Sequence, residues 1–336
     1  MTQDVFQHPK TVMSGMRPTG KLHLGHYVGV LKNWVQLQND YPCYFMIADW
    51  HALTTKATQT DALRDDIHEI VLDWLAAGID PAKATIYVQS AIPEIAELHL
   101  LLSMITPNKW VETDPTLKDM VQMMSEELNY GLLGYPVLQT ADILMMQGNL
   151  VPVGKDQLAH LEISRDIARR FNHITQTHTF DEPRPLLTHT PLLMGLDGRK
   201  MGKSYGNGIL ISDTEETTWK QLKGAVTDRA RTTRDIPGQV SQCEVVYPYH
   251  QVFSSQAVID KTAEECHTAA RGCMDCKKIL LESILSEMAP IMARRQALAN
   301  DLSLVHRILK DGNESARERA TQTITTVRRA MKLYQS

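Results

Sequence analysis

Two short segments carry side chains whose types and spacing suit a nucleotide. The first is a glycine-containing turn that ends in His23 and His26, three residues apart at an expected helix N-terminus. Imidazoles there stabilise negative charge on a phosphoryl group that is being transferred. The second is a glycine-rich loop with Lys200 and Lys203, which suit a pyrophosphate leaving group. Alone, the histidines equally fit a surface turn, and the lysines are better explained as a solvated basic loop.

Four of the five cysteines form a cluster in the sequence. Cys243, Cys266, Cys273 and Cys276 are separated by 22, 6 and 2 residues, whereas Cys43 lies in an expected buried strand and is interpreted as a small apolar residue. In a chain without an export signal, such a cluster favours metal binding over disulfides. Four thiolates hold either a tetrahedral zinc ion or an iron–sulfur cluster, and the spacing does not distinguish the two.

The composition is that of a folded globular protein. The chain has 336 residues, 43% hydrophobic and 22% charged, which excludes a largely disordered chain. No run approaches the ~18 apolar residues of a membrane helix, and the N-terminus does not resemble a signal peptide. We therefore expect a soluble, cytoplasmic protein that does not bind membranes.

Charge is distributed unevenly along the chain. The net charge is -4, but residues 214–336 contain 18 Lys and Arg against 15 Asp and Glu, a balance of +3, which leaves -7 for residues 1–213. A polyanionic partner is therefore expected to contact the second half. Ordinary fluctuation explains so small a difference equally well.

The order of apolar runs and amphipathic stretches predicts an α/β fold. Strands are expected at residues 11–14, 43–48, 84–88 and 150–153. Helices are expected at residues 27–38, 61–77, 94–105, 157–171, 215–223, 258–270, 277–295 and 315–332. We predict a doubly wound parallel sheet of the Rossmann type in residues 1–213, which binds the nucleotide, followed by a helical domain in residues 214–336. In such a sheet, a ligand binds at the carboxyl ends of the strands.

Together, the two nucleotide segments resemble a known pair of signatures. His-Leu-Gly-His at residues 23–26 and Lys-Met-Gly-Lys-Ser at residues 200–204 resemble the HIGH and KMSKS motifs of class I aminoacyl-tRNA synthetases. Leu24 and Gly202 are the two departures. Residues 47–54, 78–81, 135–144 and 151–157 are further similar to the bacterial tryptophanyl-tRNA synthetase family. The resemblance implies a tryptophan–tRNA ligase that forms tryptophanyl-adenylate from ATP and transfers it to tRNA(Trp).

The resemblance implies roles for residues around ATP. His23 and His26 would contact the α-phosphate, and Lys200 and Lys203 the pyrophosphate, with Mg²⁺ bridging phosphate oxygens. The other residues expected to bind ATP are Arg17, Thr19, Gly25, Gly154, Asp156, Met201 and Ser204. Arg17 stands where many relatives have glutamine, which places a cation near the substrate carboxylate or α-phosphate. Lys155, between Gly154 and Asp156, reverses the usual charge.

The resemblance also implies a pocket for tryptophan. Asp142 matches the position that accepts the indole N–H, and a buried acceptor of this kind rejects a phenyl or phenol side chain. Tyr135 and Gln157 match positions that hold the α-amino group. The pocket walls would be Met13, Val151 and Val153, and Gln139 would form a floor more polar than the methionine of many relatives.

The cysteine spacing is similar to that of one branch of this family, whose members bind a [4Fe-4S] cluster. The resemblance therefore implies that Cys243, Cys266, Cys273 and Cys276 hold such a cluster, that the helical domain binds the tRNA anticodon, and that the protein is a homodimer. Two alternatives remain open: a paralogue that makes an adenylate but charges no tRNA, and a catalytically silent protein that binds tRNA or senses redox state.

Overall fold

The computed structural model describes residues 6–113, 129–154, 158–187, 193–202 and 205–334. Within these ranges, five strands form one parallel sheet in the order β3-β2-β1-β4-β5. The strands are β1 (Val12–Met16), β2 (Cys43–Ile47), β3 (Ala84–Val88), β4 (Leu150–Val153) and β5 (Arg184–Leu187). Helices surround the sheet, so the expected parallel α/β fold is confirmed.

The central strands are apolar because helices cover both faces of the sheet. Val12, Phe45 and Ile47 are completely buried, for example, and the Trp34 side chain stacks on the Phe45 ring at a centroid distance of 4.3 Å. Strand β5 was not predicted from the sequence. Its residues, Arg-Pro-Leu-Leu, are only partly buried or exposed, as suits an edge strand, where a proline is tolerated.

In the described residues before 180, the helices lie between the strands. They are α1 (Leu24–His26), a π-helical turn (Tyr27–Leu31), α2 (Lys32–Asp40), α3 (Asp49–Lys56), α4 (Leu63–Ala77), α5 (Pro93–Ser103), α6 (Asn108–Glu112), α7 (Tyr130–Leu133), α8 (Tyr135–Met145) and α9 (Leu158–Thr175). Helix α8 carried no period-3.6 apolar stripe in the sequence because nine of its eleven residues are buried. It was therefore missed.

The second half is helical, as expected. Its helices are α10 (Glu215–Leu222), α11 (Val246–Phe253), α12 (Gln256–His267), α13 (Cys273–Ala299) and α14 (Leu302–Ala330). Helix α13 continues through Pro290. No helix among the described residues is both long and apolar enough to cross a membrane.

The two long C-terminal helices pack against the sheet. Ile291 of α13 belongs to the same apolar core as β1 and β2, and Ala316 and Ile324 of α14 belong to the core beneath α5 and α8. Helix α14 also contacts the edge strand β3. A Cβ on Gly312 would lie 1.8 Å from the Ile86 carbonyl oxygen, so only glycine allows this approach.

Candidate active site

A concave site lies at the carboxyl ends of β1 and β4, where the strand order reverses. Ligands bind at this position in open α/β sheets. The cavity has a volume of ≈ 420 Å³. It is lined by Met13, Ser14, Gly15, Arg17, Val30, Met46, Ala48, His51, Thr54, Tyr135, Gln139, Asp142, Ile143, Val151, Pro152, Val153, Gly154 and His160.

Most residues expected to bind tryptophan line this one cavity. Met13, Val151 and Val153 are apolar, and the half-buried Gln139 adds an amide. Two residues expected near ATP, Arg17 and Gly154, line it as well. Asp156 and Gln157 lie outside the described residues.

Asp142 lies in the buried part of the cavity and has two hydrogen-bond partners. Its side chain is 1% exposed; Gln89 Nε2 donates to one carboxylate oxygen at 2.8 Å, and His51 Nε2 lies 2.8 Å from the other. Burial raises the pKa of Asp142, whereas the hydrogen bonds from His51 and Gln89 act in the opposite direction. A carboxylate offers about four lone-pair positions, so two partners leave it able to accept a further N–H from a ligand.

Gln89 was not identified from the sequence, although it fixes this network. It is fully buried, and its Oε1 accepts the backbone N–H groups of Trp50 at 3.1 Å and His51 at 3.3 Å, at the start of α3. Since Oε1 is committed to these donors, the amide nitrogen must face Asp142. His51 stood in a segment used for the resemblance, but no role was assigned to it. Glutamine has no distinctive spacing, so only the fold reveals its position.

Tyr135 has a defined orientation at the other side of the cavity. Its hydroxyl lies 3.0 Å from His160 Nδ1, and His160 is buried. The Arg17 side chain is exposed to solvent at the cavity. The cavity therefore combines apolar walls, a buried acceptor and a cation, which suits an amino acid with a large side chain that carries an N–H group.

The two histidines lie together at the start of α1. Their ring centroids are 3.7 Å apart, and the His23 backbone N–H donates to His26 Nδ1 at 3.3 Å. Because Nδ1 accepts, the His26 proton is assigned to Nε2, which is then a donor. Thr19 lies in the partly buried loop that precedes them.

The His segment contacts the glycine-rich loop directly. Leu24 N–H donates to the Ile209 carbonyl at 2.8 Å, and a Cβ on Gly25 would lie 3.0 Å from the His23 ring and 3.1 Å from Met201 Sδ. A cavity of ≈ 370 Å³ lies between the two segments, lined by Lys21, His23, Gly202, Gly206, Gly208, Leu210 and Gln221. Of the residues expected at the phosphates, His23 lines this cavity, opposite glycines of the loop that contains Lys200.

Asn207 organises the glycine-rich loop and was not predicted. It is buried, its Oδ1 accepts the Gly202 N–H at 3.0 Å, and its Nδ2 donates to Asp197 at 2.8 Å. The Arg199 N–H and Asn207 lower the pKa of Asp197 to about 2. The hydrogen bond from Gly202 to Asn207 uses the backbone N–H. It therefore does not depend on whether this position of the motif holds glycine or the usual serine. Lys200 is exposed, and Lys203 and Ser204 lie outside the described residues.

All four clustered cysteines line a second, smaller cavity of ≈ 30 Å³. Cys273 and Cys276 lie in the first turn of α13, Cys266 in α12 and Cys243 before α11. Burial raises the pKa of Cys276 to about 12, and the neighbouring thiols add to this effect. The sequence cluster is therefore also a cluster in space.

Two arginines and a histidine lie beside this thiol cavity. Arg231 and Arg271 line it, with Arg231 Nη1 3.9 Å from Cys266 Sγ, and His250 Nε2 lies 3.4 Å from Cys276 Sγ. Across the described ranges, no three or more His, Cys, Asp or Glu side chains are arranged to hold a metal ion. Four thiolates are the donor set of either a tetrahedral zinc ion or an iron–sulfur cluster.

Comparisons with known proteins show the family to which the chain belongs. Residues 6–288 match the family described as tRNA synthetases class I (W and Y). The tryptophan–tRNA ligase of Thermotoga maritima is 44% identical over 330 residues, covering 96% of this chain and 99% of the relative. That of Aquifex aeolicus is 39% identical, covering 96% and 99%.

Solved structures give the same result. The tryptophanyl-tRNA synthetase of Campylobacter jejuni, complexed with ADP and tryptophan, matches with a TM-score of 0.86 and 30% identity, covering 96% of this chain and 100% of that one. A tyrosyl-tRNA synthetase of Archaeoglobus fulgidus matches with a TM-score of 0.64 and 21% identity, covering 86% and 90%, which indicates a shared fold.

Proposed function

Because the chain belongs to the class I tryptophan–tRNA ligases, we propose that it activates tryptophan with ATP and transfers it to tRNA(Trp) at the cavity between β1 and β4. The observation that carries this proposal is Asp142, a buried carboxylate among apolar walls, with its remaining lone pairs available to an indole N–H. Tyr135 and Gln157 would hold the α-amino group, and Arg17 the carboxylate or the α-phosphate.

In the first step, the tryptophan carboxylate attacks the α-phosphorus of ATP, and pyrophosphate leaves in line. The protein supplies position and charge, and no protein nucleophile is required. His23 and His26 would stabilise the α-phosphate, and Lys200 and Lys203 the pyrophosphate. Thr19, Gly25, Gly154, Asp156, Met201 and Ser204 would complete the ATP site. Mg²⁺ enters with ATP and neutralises phosphate charge.

In the second step, a terminal ribose hydroxyl of tRNA(Trp) attacks the adenylate and AMP leaves. We assign anticodon binding to the helical half, residues 214–336, whose charge balance of +3 supports contact with a polyanion. Residues 1–213 would be the catalytic domain.

Two assays on the purified protein test this function. We expect tryptophan-dependent exchange of pyrophosphate into ATP, followed by charging of tRNA(Trp) transcripts. Exchange without charging would favour a paralogue that only forms an adenylate. Absence of both reactions, with tRNA still bound, would favour a silent tRNA-binding or redox-sensing protein.

We also propose that the four clustered cysteines hold a [4Fe-4S] cluster. The four thiols around one cavity supply its ligands, and Arg231 and Arg271 offset its negative charge. When bound, the cluster would stabilise the region where α12, α13 and the Cys243 loop meet, since ligand binding is coupled to folding.

Protein purified without oxygen is expected to contain iron and sulfide in equal amounts, at about one cluster per chain. Cys273→Ser removes one of four ligands and should lose most of both. The matched control is Cys43→Ser, in strand β2, which should keep them. One zinc ion per chain without sulfide would contradict the [4Fe-4S] proposal and would indicate a structural zinc site instead.

Because the cysteine cavity belongs to the helical half, Cys273→Ser should reduce tRNA charging more than tryptophan adenylation. Parallel loss of both activities would instead indicate that the cluster supports the whole fold.

We further propose a cytoplasmic homodimer. Large apolar side chains, Leu100 and Met104 at the end of α5 and Tyr130 in α7, are more than half exposed, as is typical of an interface. The molar mass in solution, measured by light scattering, tests this: one chain rather than two would contradict it.

A further inference from the structure

Side chains of helix α13, in the other half of the chain, reach both ends of the His23–His26 segment, one directly and one through a second residue. Glu287, in the middle of α13, accepts from Tyr27, and Arg295, near the C-terminus of α13, bonds Asp73, which in turn bonds Leu22. Residues 209–211 also hold the segment, through backbone hydrogen bonds. The histidines thus lie on a short segment held by contacts from two parts of the chain.

The contact before the histidines passes through a buried carboxylate. Asp73 of α4 is fully buried, and its Oδ2 accepts the backbone N–H of Leu22 at 2.8 Å. Its Oδ1 accepts from Arg295 Nε at 2.6 Å, and Arg295 Nη2 also donates to Glu69 at 2.5 Å. Asp73 therefore needs Arg295 as its counter-ion in order to hold the residue next to His23.

The contact after the histidines is direct. The Tyr27 hydroxyl donates to Glu287 at 2.9 Å, and Lys32 Nζ lies 2.8 Å from the same carboxylate. Tyr27 is buried and follows His26 immediately. Glu287 and Arg295, both in α13, thus restrain the two ends of the His23–His26 segment.

We propose that Arg295 is a positioning residue for the two histidines: through Asp73 and Leu22, it holds His23 and His26 where the α-phosphate of ATP reacts. This inference rests on the function proposed above. Arg295 does not line either cavity of the active site, so it acts on the reaction only through the segment that it positions. The C-terminal part of α13 thereby positions catalytic groups of the other half of the chain.

The test measures tryptophan-dependent ATP–pyrophosphate exchange by Arg295→Gln. Displacing catalytic groups by about 1 Å costs about 100-fold, so we expect kcat to fall about 10- to 100-fold with KM for tryptophan changed less than about twofold. The matched control is Arg328→Gln, since Arg328 makes a similar two-point ion pair with Glu97 of α5, at 2.6 and 2.5 Å, away from the histidines. The control should keep full kcat.

A double variant, Asp73→Asn with Arg295→Gln, removes both buried charges and keeps an oxygen for Leu22. We expect it to recover most of the lost kcat, which general damage to the fold would not allow.

Hydrogen exchange measures the same contact directly. The Leu22 amide should exchange faster in Arg295→Gln than in the wild-type protein, and more slowly again in the double variant. Unchanged kcat in a folded Arg295→Gln protein, or no recovery in a folded double variant, would overturn the proposal. If the wild-type protein shows no ATP–pyrophosphate exchange, the proposed function itself fails. Hydrogen exchange at the Leu22 amide still reports on the contact between Arg295 and Asp73 in that case.

Discussion

Asp142→Asn is expected to lower the preference for tryptophan over phenylalanine by at least about 100-fold while the protein remains folded. A hydrogen bond to a charged group contributes about 1.5–3 kcal/mol, or about 10- to 150-fold. A site built around such a bond rejects a substrate that lacks the donor by about 10⁴–10⁵-fold. Asparagine has one acceptor oxygen, and Gln89 already donates to that position. Its NH₂ group would face His51 or the indole N–H and would repel the latter.

Selectivity is measured as the ratio of kcat/KM for the two amino acids in pyrophosphate exchange. The matched control is Asp181→Asn, which changes another buried carboxylate, held by the Gln7 and His8 N–H groups and not part of the cavity lining. It should alter stability without altering selectivity. An Asp142→Asn protein that kept its selectivity but unfolded more readily would show that Asp142 is structural and that another group recognises the indole.

His26→Asn should reduce kcat for adenylation by about 10²–10³-fold, the usual effect of removing one donor to a developing charge. Asparagine places an oxygen near the position of Nδ1, so it still accepts the His23 N–H, which now bonds His26 Nδ1 at 3.3 Å. It lacks a donor at the position of Nε2. The local turn should therefore persist while the α-phosphate loses a partner.

The complementary variant is His26→Gln, whose amide nitrogen reaches the Nε2 position. It should retain most of kcat and lose the local hydrogen bond. Adenylation is measured in a single turnover, so that the rate of the chemical step is not obscured by product release. Full kcat in His26→Asn together with a loss in His26→Gln would show that His26 supports the turn rather than the phosphate.

The sequence was most informative where local pattern and burial agree. Strands β2 and β3 are buried along most of their length, and their apolar runs predicted them to within about two residues. Strand β5 is only four residues long and contains Arg184 and Pro185, so nothing in its composition distinguishes it from a loop. Helix α8 is buried almost all round, which removes the amphipathic period.

The site residues also divide into those that the sequence predicted and those that it did not. The histidines and lysines were predicted from two short motifs, and Asp142 from the family resemblance. Gln89 and Asn207 were missed because their importance comes from neighbours distant in the sequence, such as Asp142, 53 residues after Gln89. Arg295 acts over 222 residues on Asp73. Buried amides and ion pairs of this kind can be found only once the fold brings their partners together.

The contact between α14 and strand β3 bears on the order in which the chain folds. Val88 donates its backbone N–H to the side chain of Asn313, 225 residues later, next to the close approach at Gly312. Uncovered sheet edges pair readily with other chains. During synthesis, β3 is therefore an open edge until residues 302–330 have left the ribosome and docked. A growing chain, or one cut by a protease before α14, exposes the unpaired edge of β3. Helix α14 therefore protects β3 from pairing with strands of other chains and so from aggregation.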